Sequence, residues 1–417
     1  DQPVEFALHK DWLIVATEAE LLERTIALQR GDADKQASIA KSAFFQKIAP
    51  MLDGKDSLAR ACIDLERLPN AIGTGKRFGF PHKMNQPLAS LLLGGILELG
   101  MRSSAALITL DANDEGFLLE TRLDATPKAL EEHHQVFFCH HPETGIKPLP
   151  QVPNMIGGFT WHRELGEWYR TRDHLLEDHV LPEFDKFESG IGNILPGRDF
   201  GEDVMPLLGN NITFVSAVQD FEHLDGELGV KLPAFAFVID LAEPEEGEAV
   251  FQLFVQTLLS VLNLEAGKQK RQPWLIDTKE HQGVKITTAR YLQKPKGNDL
   301  PIVFNFLPAA ARVGDQYVVS SSLQLCHQLI DALGQSADAA RLNQNFGFRL
   351  DVDPLVDVLK ANEAHLQTKR VVEGRSVKQA TSDIDLLLTL LGSLKEVTAT
   401  TSATDDGFAL RLEGEFD

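Results

Sequence analysis

Hydrophobic and polar positions along this chain sort into short alternating runs, which predict strands, and longer stretches at helical spacing, which predict helices. Residues 11–17 alternate and read as a strand, and residues 18–30 place Leu21, Leu22, Thr25, Ile26 and Leu28 on one helical face. A short amphipathic helix is expected at 44–52, a strand at 59–65, a Gly-, Pro- and Lys-rich loop at 69–86 and an apolar helix at 89–99. The runs 105–111 and 117–123 flank Asn113-Asp114-Glu115-Gly116 and predict a hairpin with a glycine-bearing turn. A charged helix is expected over 163–179, stopped by Pro182, with Leu165, Trp168, Tyr169, Leu175 and Leu176 towards the core. Short helices at 184–190 and 203–208, the second ended by Gly209, precede strands at 212–218 and 234–241. Val250, Phe251, Phe254, Leu258, Val261 and Leu262 form the clearest stripe, on a helix over 248–264. Strands are expected at 283–288, 302–306, 317–320 and 346–352, helices at 323–333, 354–362 and 383–396, and a closing hairpin at 398–404 and 408–416. Strands cluster without strict β-α-β alternation. That favours an α+β architecture of antiparallel or mixed sheets with helices on one face.

The succession occurs twice. Asp11-Trp12-Leu13-Ile14-Val15-Ala16-Thr17 and Asp315-Gln316-Tyr317-Val318-Val319-Ser320-Ser321 share one grammar, an acidic turn, an apolar run and small residues before a helix. Ile63-Asp64-Leu65 echoes Leu350-Asp351-Val352, and Asp114-Glu115-Gly116-Phe117 echoes Asp405-Asp406-Gly407-Phe408. Three matches in one order predict an internally repeated module. Residues 1–124 are expected to be the C-terminal half of a module, 125–153 a polar linker with a strand at 135–139, and 154–417 a complete second module. Residues 4–8 precede the first echo as 302–306 precede the second. The chain is therefore expected to start inside a module, with any export signal upstream of Asp1.

Composition narrows the class. A chain of 417 residues suits two or three domains. With 61 acidic and 40 basic side chains the formal charge is −21, which argues against non-specific binding to nucleic acid or anionic membrane. No apolar run of membrane-spanning length stands out, so no membrane span is expected. Cys62 and Cys326 read as buried hydrophobes, and Cys139 completes a set without any Cys-x-x-Cys, so neither a disulfide framework nor a zinc site is indicated.

Candidate chemistry is sparse. His133, His134, Cys139, His140 and His141, with Glu131, Glu132 and Glu143, are the densest set of metal-ligating residue types. A metal needs three or four ligands at one point, and a strand would hold His134 and His140 about 20 Å apart. Asp111 to Gly116 begins like a calcium loop, but Arg122 stands where its last carboxylate belongs. Gly73-Thr74-Gly75-Lys76-Arg77 lacks the first glycine and the hydroxyl of a phosphate loop, and Asp199-Phe200-Gly201 stands without any other kinase element. Ser320, Ser321 and Ser322 near His327 are read as caps of the next helix. The aromatic and charged run Trp161 to Arg170 is read as core, and Glu183, Asp185 and Glu188 as a solvated face. No catalytic, cofactor-binding or metal residue is assigned.

One block is familiar. Glu188-Ser189-Gly190-Ile191-Gly192, then Phe200-Gly201-Glu202-Asp203-Val204-Met205-Pro206-Leu207-Leu208-Gly209 and Ile212-Thr213-Phe214-Val215, resembles an uncharacterised family of exported bacterial proteins, a domain of unknown function frequent in planctomycete-type bacteria. The resemblance implies export to periplasm or cell surface and carries no catalytic residues. The leading expectation is a non-enzymatic exported protein that binds a protein partner, self-associates or scaffolds an envelope assembly. Two others stand beside it: a metal-assisted hydrolase using residues 131–143, and a carrier of a small hydrophobic ligand between helix layer and sheet.

Overall fold

A computed structural model of the chain describes residues 4–31, 41–52, 57–67, 83–139, 142–195, 197–336, 339–404 and 407–417. Its first half holds β1 (Glu5–His9), β2 (Trp12–Ala16), α1 (Ala19–Arg30), α2 (Ala43–Ile48), β3 (Ala59–Asp64), α3 (Pro87–Arg102), β4 (Ala105–Asn113) and β5 (Gly116–Leu123). Next come α4 (Glu132–Gln135), β6 (Met155–His162), α5 (Leu165–Arg170), α6 (Arg172–Leu175), α7 (Leu181–Ile194), β7 (Leu208–Ala217), β8 (Asp225–Leu228), β9 (Ala234–Leu241) and α8 (Pro244–Lys268). The remainder is β10 (Trp274–His281), β11 (Val284–Tyr291), β12 (Lys296–Leu300), β13 (Ala309–Val313), β14 (Gln316–Ser320), α9 (Leu323–Gln335) and β15 (Phe346–Asp351). The last elements are α10 (Val352–Ala361), α11 (Glu363–Val372), α12 (Val377–Leu391), β16 (Leu394–Thr404) and β17 (Gly407–Phe416).

Thirteen strands form one sheet in the order β10-β11-β13-β14-β9-β7-β6-β15-β16-β17-β5-β4-β3, every neighbour antiparallel. Alternation along β9 shows how the sequence builds it, because successive side chains face opposite sides of a strand. Ala234, Ala236 and Val238 are buried with Val215, Val318 and the α9 residues Leu325, Cys326 and Leu329. On the other face, Val255 and Leu259 of α8 pack on Leu241, Ala289, Ala310 and Tyr317. Each fully buried leucine here contributes roughly 1.5–3 kcal/mol. The α+β architecture with antiparallel sheets stands, but the helices, expected on one face, occupy both at this end of the sheet. At the other end β5 pairs with β17, from Phe408 opposite Leu123 to Glu415 opposite Gly116. A third core draws on both halves, with Leu99, Ala125, Phe137 and Phe138 against Trp168, Phe184, Met205, Ala403 and Phe408.

Several expectations change. Residues 135–139 are not a strand: α4 ends at Gln135, and Val136, Phe137 and Phe138 are buried in that core. The stretch read as a polar linker thus supplies a plug, and Gly94 and Gly95 of α3 lack the side chains that would collide with Phe137. Pro182 does not stop a helix but sits in the first turn of α7, where its missing N–H costs nothing. The helix expected over 163–179 is two short ones, α5 and α6. Residues 200–207 form a π turn, Phe200–Val204, and a 3-10 turn, Met205–Leu207, while Gly209 lies inside β7, where a Cβ would come 2.7 Å from the Asp240 Cβ. Residues 302–305 form a 3-10 turn, Ile302–Asn305, and β13 is the strand that pairs with β14. Cys62 is exposed, on β3, which is an edge strand of the sheet. Among the described residues α8 is long and apolar enough, by length and composition, to cross a membrane, and its inner face packs on the sheet. Gly73 to Arg77, His140, His141, Asp405 and Asp406 lie outside the described residues.

Candidate ligand cavity

Of the histidine segment, His133 and His134 lie on α4, and a partner not foreseen joins them. His133 stacks on His174 of α6, ring centroids 5.2 Å apart, and lies 4.4 Å from His134. Glu131 stands 3.6 Å from His133. No group of three His, Cys, Asp or Glu side chains among the described residues is arranged to hold a metal. Burial pushes the His134 pKa down to about 4, and its Nδ1 is buried without a hydrogen bond. Burial also raises the thiol pKa of Cys139, the opposite of what a thiolate ligand needs.

The other candidates resolve into structural roles. Asn113 accepts hydrogen bonds from the backbone N–H groups of Glu115 and Gly116, both at 3.0 Å, so its amide closes a hairpin turn. Asp199 caps the π turn by accepting from Glu202 N–H at 2.8 Å, and Gly201 makes room for the Tyr169 ring. Ser322 does not cap α9 with its side chain as expected; Ser320 instead donates to the Ser322 carbonyl at 2.8 Å. His327 is stacked on His281, 4.5 Å between centroids. Leu165, Trp168 and Tyr169 are core, as their spacing predicted. Glu188 is not simply solvated, since it accepts the Tyr169 hydroxyl at 2.5 Å. Arg163 is almost wholly buried; it donates to the carbonyls of Leu91, Leu92, Phe137 and His162 and lies 5.2 Å from the Phe137 and Trp161 rings. Burial alone pushes its pKa down to about 9, and the four carbonyls satisfy the guanidinium.

A feature unmarked by any motif lies between α8 and the sheet. A cavity of about 440 Å³ is bounded by Leu262 and Ala266 of α8, Phe235 and Phe237 of β9, Trp274 of β10 and Tyr291 of β11. Val319 of β14 and Val303, Phe304 and Phe306 from the 3-10 turn region close it. Its walls are locked from behind. Asn263 of α8 donates to the Trp274 carbonyl and accepts from the Trp274 N–H, both at 2.8 Å, which pins the start of β10 to the helix. Ser321 accepts from the Phe235 N–H at 2.8 Å and donates its own N–H to the Phe235 carbonyl at 2.8 Å. Tyr291 meets Phe304 edge-on, centroids 5.2 Å apart. Phe214 lies 5.3 Å from Phe237 and stacks on Phe159 at 5.4 Å, so an aromatic strip leads across the sheet from the cavity.

Polar equipment in the cavity is one-sided. Arg271 lines it from the α8–β10 connection, and its Nε is shielded from solvent without a hydrogen-bond partner. The indole of Trp274 sits beside the Tyr291 hydroxyl, which itself donates to the Val303 carbonyl at 3.4 Å. Burial pushes the Tyr291 hydroxyl up to about 12, partly offset by the neighbouring Trp274 indole and Arg271. Glu265 at the rim is held by Lys268 at 3.3 Å and Gln269 at 3.0 Å. The chain matches no protein-family model, no curated protein and no solved structure.

Proposed function

We propose that this protein is a carrier that binds a small, largely apolar ligand between α8 and the sheet. The observation behind the reading is the cavity, whose volume lies within the roughly 300–1,000 Å³ of ligand sites and whose walls are mostly aromatic and aliphatic. The three aromatic side chains at its base, Tyr291, Trp274 and Phe304, give a preformed surface that a ligand can cover without reordering the chain. Saturable binding of N-phenyl-1-naphthylamine, read by fluorescence, tests it. Leu262→Trp, at a half-exposed position on the cavity wall, should weaken the probe at least about tenfold by filling the space. Absence of saturable binding to the unaltered protein would overturn the reading.

A second reading, partner binding or self-association at the cell envelope, is favoured by the β1–β2 hairpin, where Phe6, Leu8, Leu13 and Val15 share one face and are all more than half exposed. Such a contiguous apolar surface is rare on a monomer. Light scattering would show a dimer or larger assembly that Phe6→Lys dissolves, and a monomer at all concentrations would remove self-association. The carrier reading also takes the chain as two related modules. In its support, the echoed segments fall on β2, β3 and the β4–β5 hairpin in the first half and on β14, β15 and the β16–β17 hairpin in the second. Export remains part of the proposal through the family resemblance, and fractionation of native cells tests it.

A further inference from the structure

Resting on the carrier reading, we infer that the ligand of the α8 cavity is an anionic amphiphile, a medium- or long-chain carboxylate with its head group at Arg271 and its tail over Phe235 and Phe237. The argument starts from hydrogen-bonding capacity. Arg271 lines the cavity, and its Nε is shielded from water and has no acceptor. Shielded donors without acceptors are destabilising, so the site is complementary to a group that brings acceptors with it.

Charge decides what kind of acceptor. Among the described residues Arg271 has no carboxylate within ion-pair distance, and the nearest acidic group lining the cavity, Glu265, is engaged by Lys268 and Gln269. A guanidinium presents paired N–H groups in a plane, which suits a carboxylate. With one arginine to neutralise it, a monoanion fits better than a phosphate dianion. The remaining surface is apolar, and Phe235 and Phe237 are 38% and 41% exposed, unusual for phenylalanine on a central strand. The strip continuing to Phe214 and Phe159 gives a tail somewhere to lie beyond the cavity.

Isothermal titration of the full chain with sodium dodecanoate, 1-dodecanol and dodecyltrimethylammonium, each below its micellar concentration, separates the ideas. Dodecanoate should bind at least about tenfold more tightly than dodecanol, and the cationic amphiphile most weakly. Arg271→Gln should remove the preference for the acid by weakening dodecanoate far more than dodecanol, and Arg271→Lys should keep part of it. Equal affinity for dodecanoate and dodecanol in the unaltered protein overturns the head-group inference and leaves the cavity reading standing. No saturable binding of any of the three overturns both. The three-ligand comparison on the unaltered protein stands even if a variant fails to fold.

Discussion

Arg163 brings a positive charge into the interior, where it donates to four backbone carbonyls and, among the described residues, pairs with no carboxylate. Two of those carbonyls, at Leu91 and Leu92, belong to α3, so this side chain fastens α3 to the end of β6. No spacing rule exposes such a role, because its partners are backbone atoms distant in the chain. The aromatic neighbours, by contrast, were legible: Trp168 and Tyr169 recur at helical spacing and are core. His134 shows what burial does to a titratable side chain. Its folded pKa sits at about 4 against an ordinary 6.5. Between those values the unfolded chain binds more protons than the folded one, so stability rises with pH across that window. The contribution is complete above about pH 6.5 and is lost as pH falls to about 4, on the order of 1–3 kcal/mol. His133, lowered chiefly by burial too, acts in the same direction. Urea midpoints at pH 7 and 4.5 measure this. His134→Asn should shrink the difference between them, and an unchanged difference would show that other groups govern acid stability.

Elements with strong periodicity were readable, and those whose pattern is set by neighbours were not. The stripe of α8 and the alternation of β4, β5 and β9 stand out because one face of each meets a core. β13 escaped because Ala309-Ala310-Ala311-Arg312-Val313 has little β propensity of its own; it is a strand because β11 and β14 flank it. α11 escaped because no residue in it is buried, so no stripe marks it. β10 escaped as an edge strand, paired only with β11 and mostly polar beyond Ile276. The hairpin from β16 to β17 carries a tighter constraint. Gly407 has φ +136°, a conformation costly for other residues, and a Cβ there would collide with the Leu123 carbonyl of β5. Gly407→Ala should cost about 2–3 kcal/mol, read as a lowered melting temperature. Gly374→Ala, at φ +94° but facing open space, should cost less. Equal losses would mean that contact with β5 adds nothing to backbone strain.

Across the whole molecule, the cavity assembles from α8, β9, β10, β11, β14 and the turn near residue 304. These elements follow one another through mostly short connections, but the wall positions are picked out by strand pairing and by the turn that folds back over them, so no local motif could announce the cavity. The seam between β5 and β17 is non-local. Glu120 accepts hydrogen bonds from Arg122 and Arg411 at 3.0 Å, and Phe408 shares a core with Leu99 and Ala125. Burial raises the Glu120 pKa, but the two arginines more than reverse it, so the carboxylate stays ionised. Residues 154–417 expressed alone would bare the β17 edge along its length and should elute as larger oligomers than the full chain forms. A monomeric fragment with the melting temperature of the full chain would mean that the seam contributes nothing. The seam also has a consequence during synthesis. β17 is the last strand of this sheet to leave the ribosome, and its partner β5 was made almost three hundred residues earlier, as the 291-residue separation of Arg411 and Glu120 records. Until β17 emerges, β5 and β16 each wait with an unpaired edge. The two halves of the sheet can close only once β17 has emerged, and a chaperone that shelters nascent strands would find its main task in the interval before it.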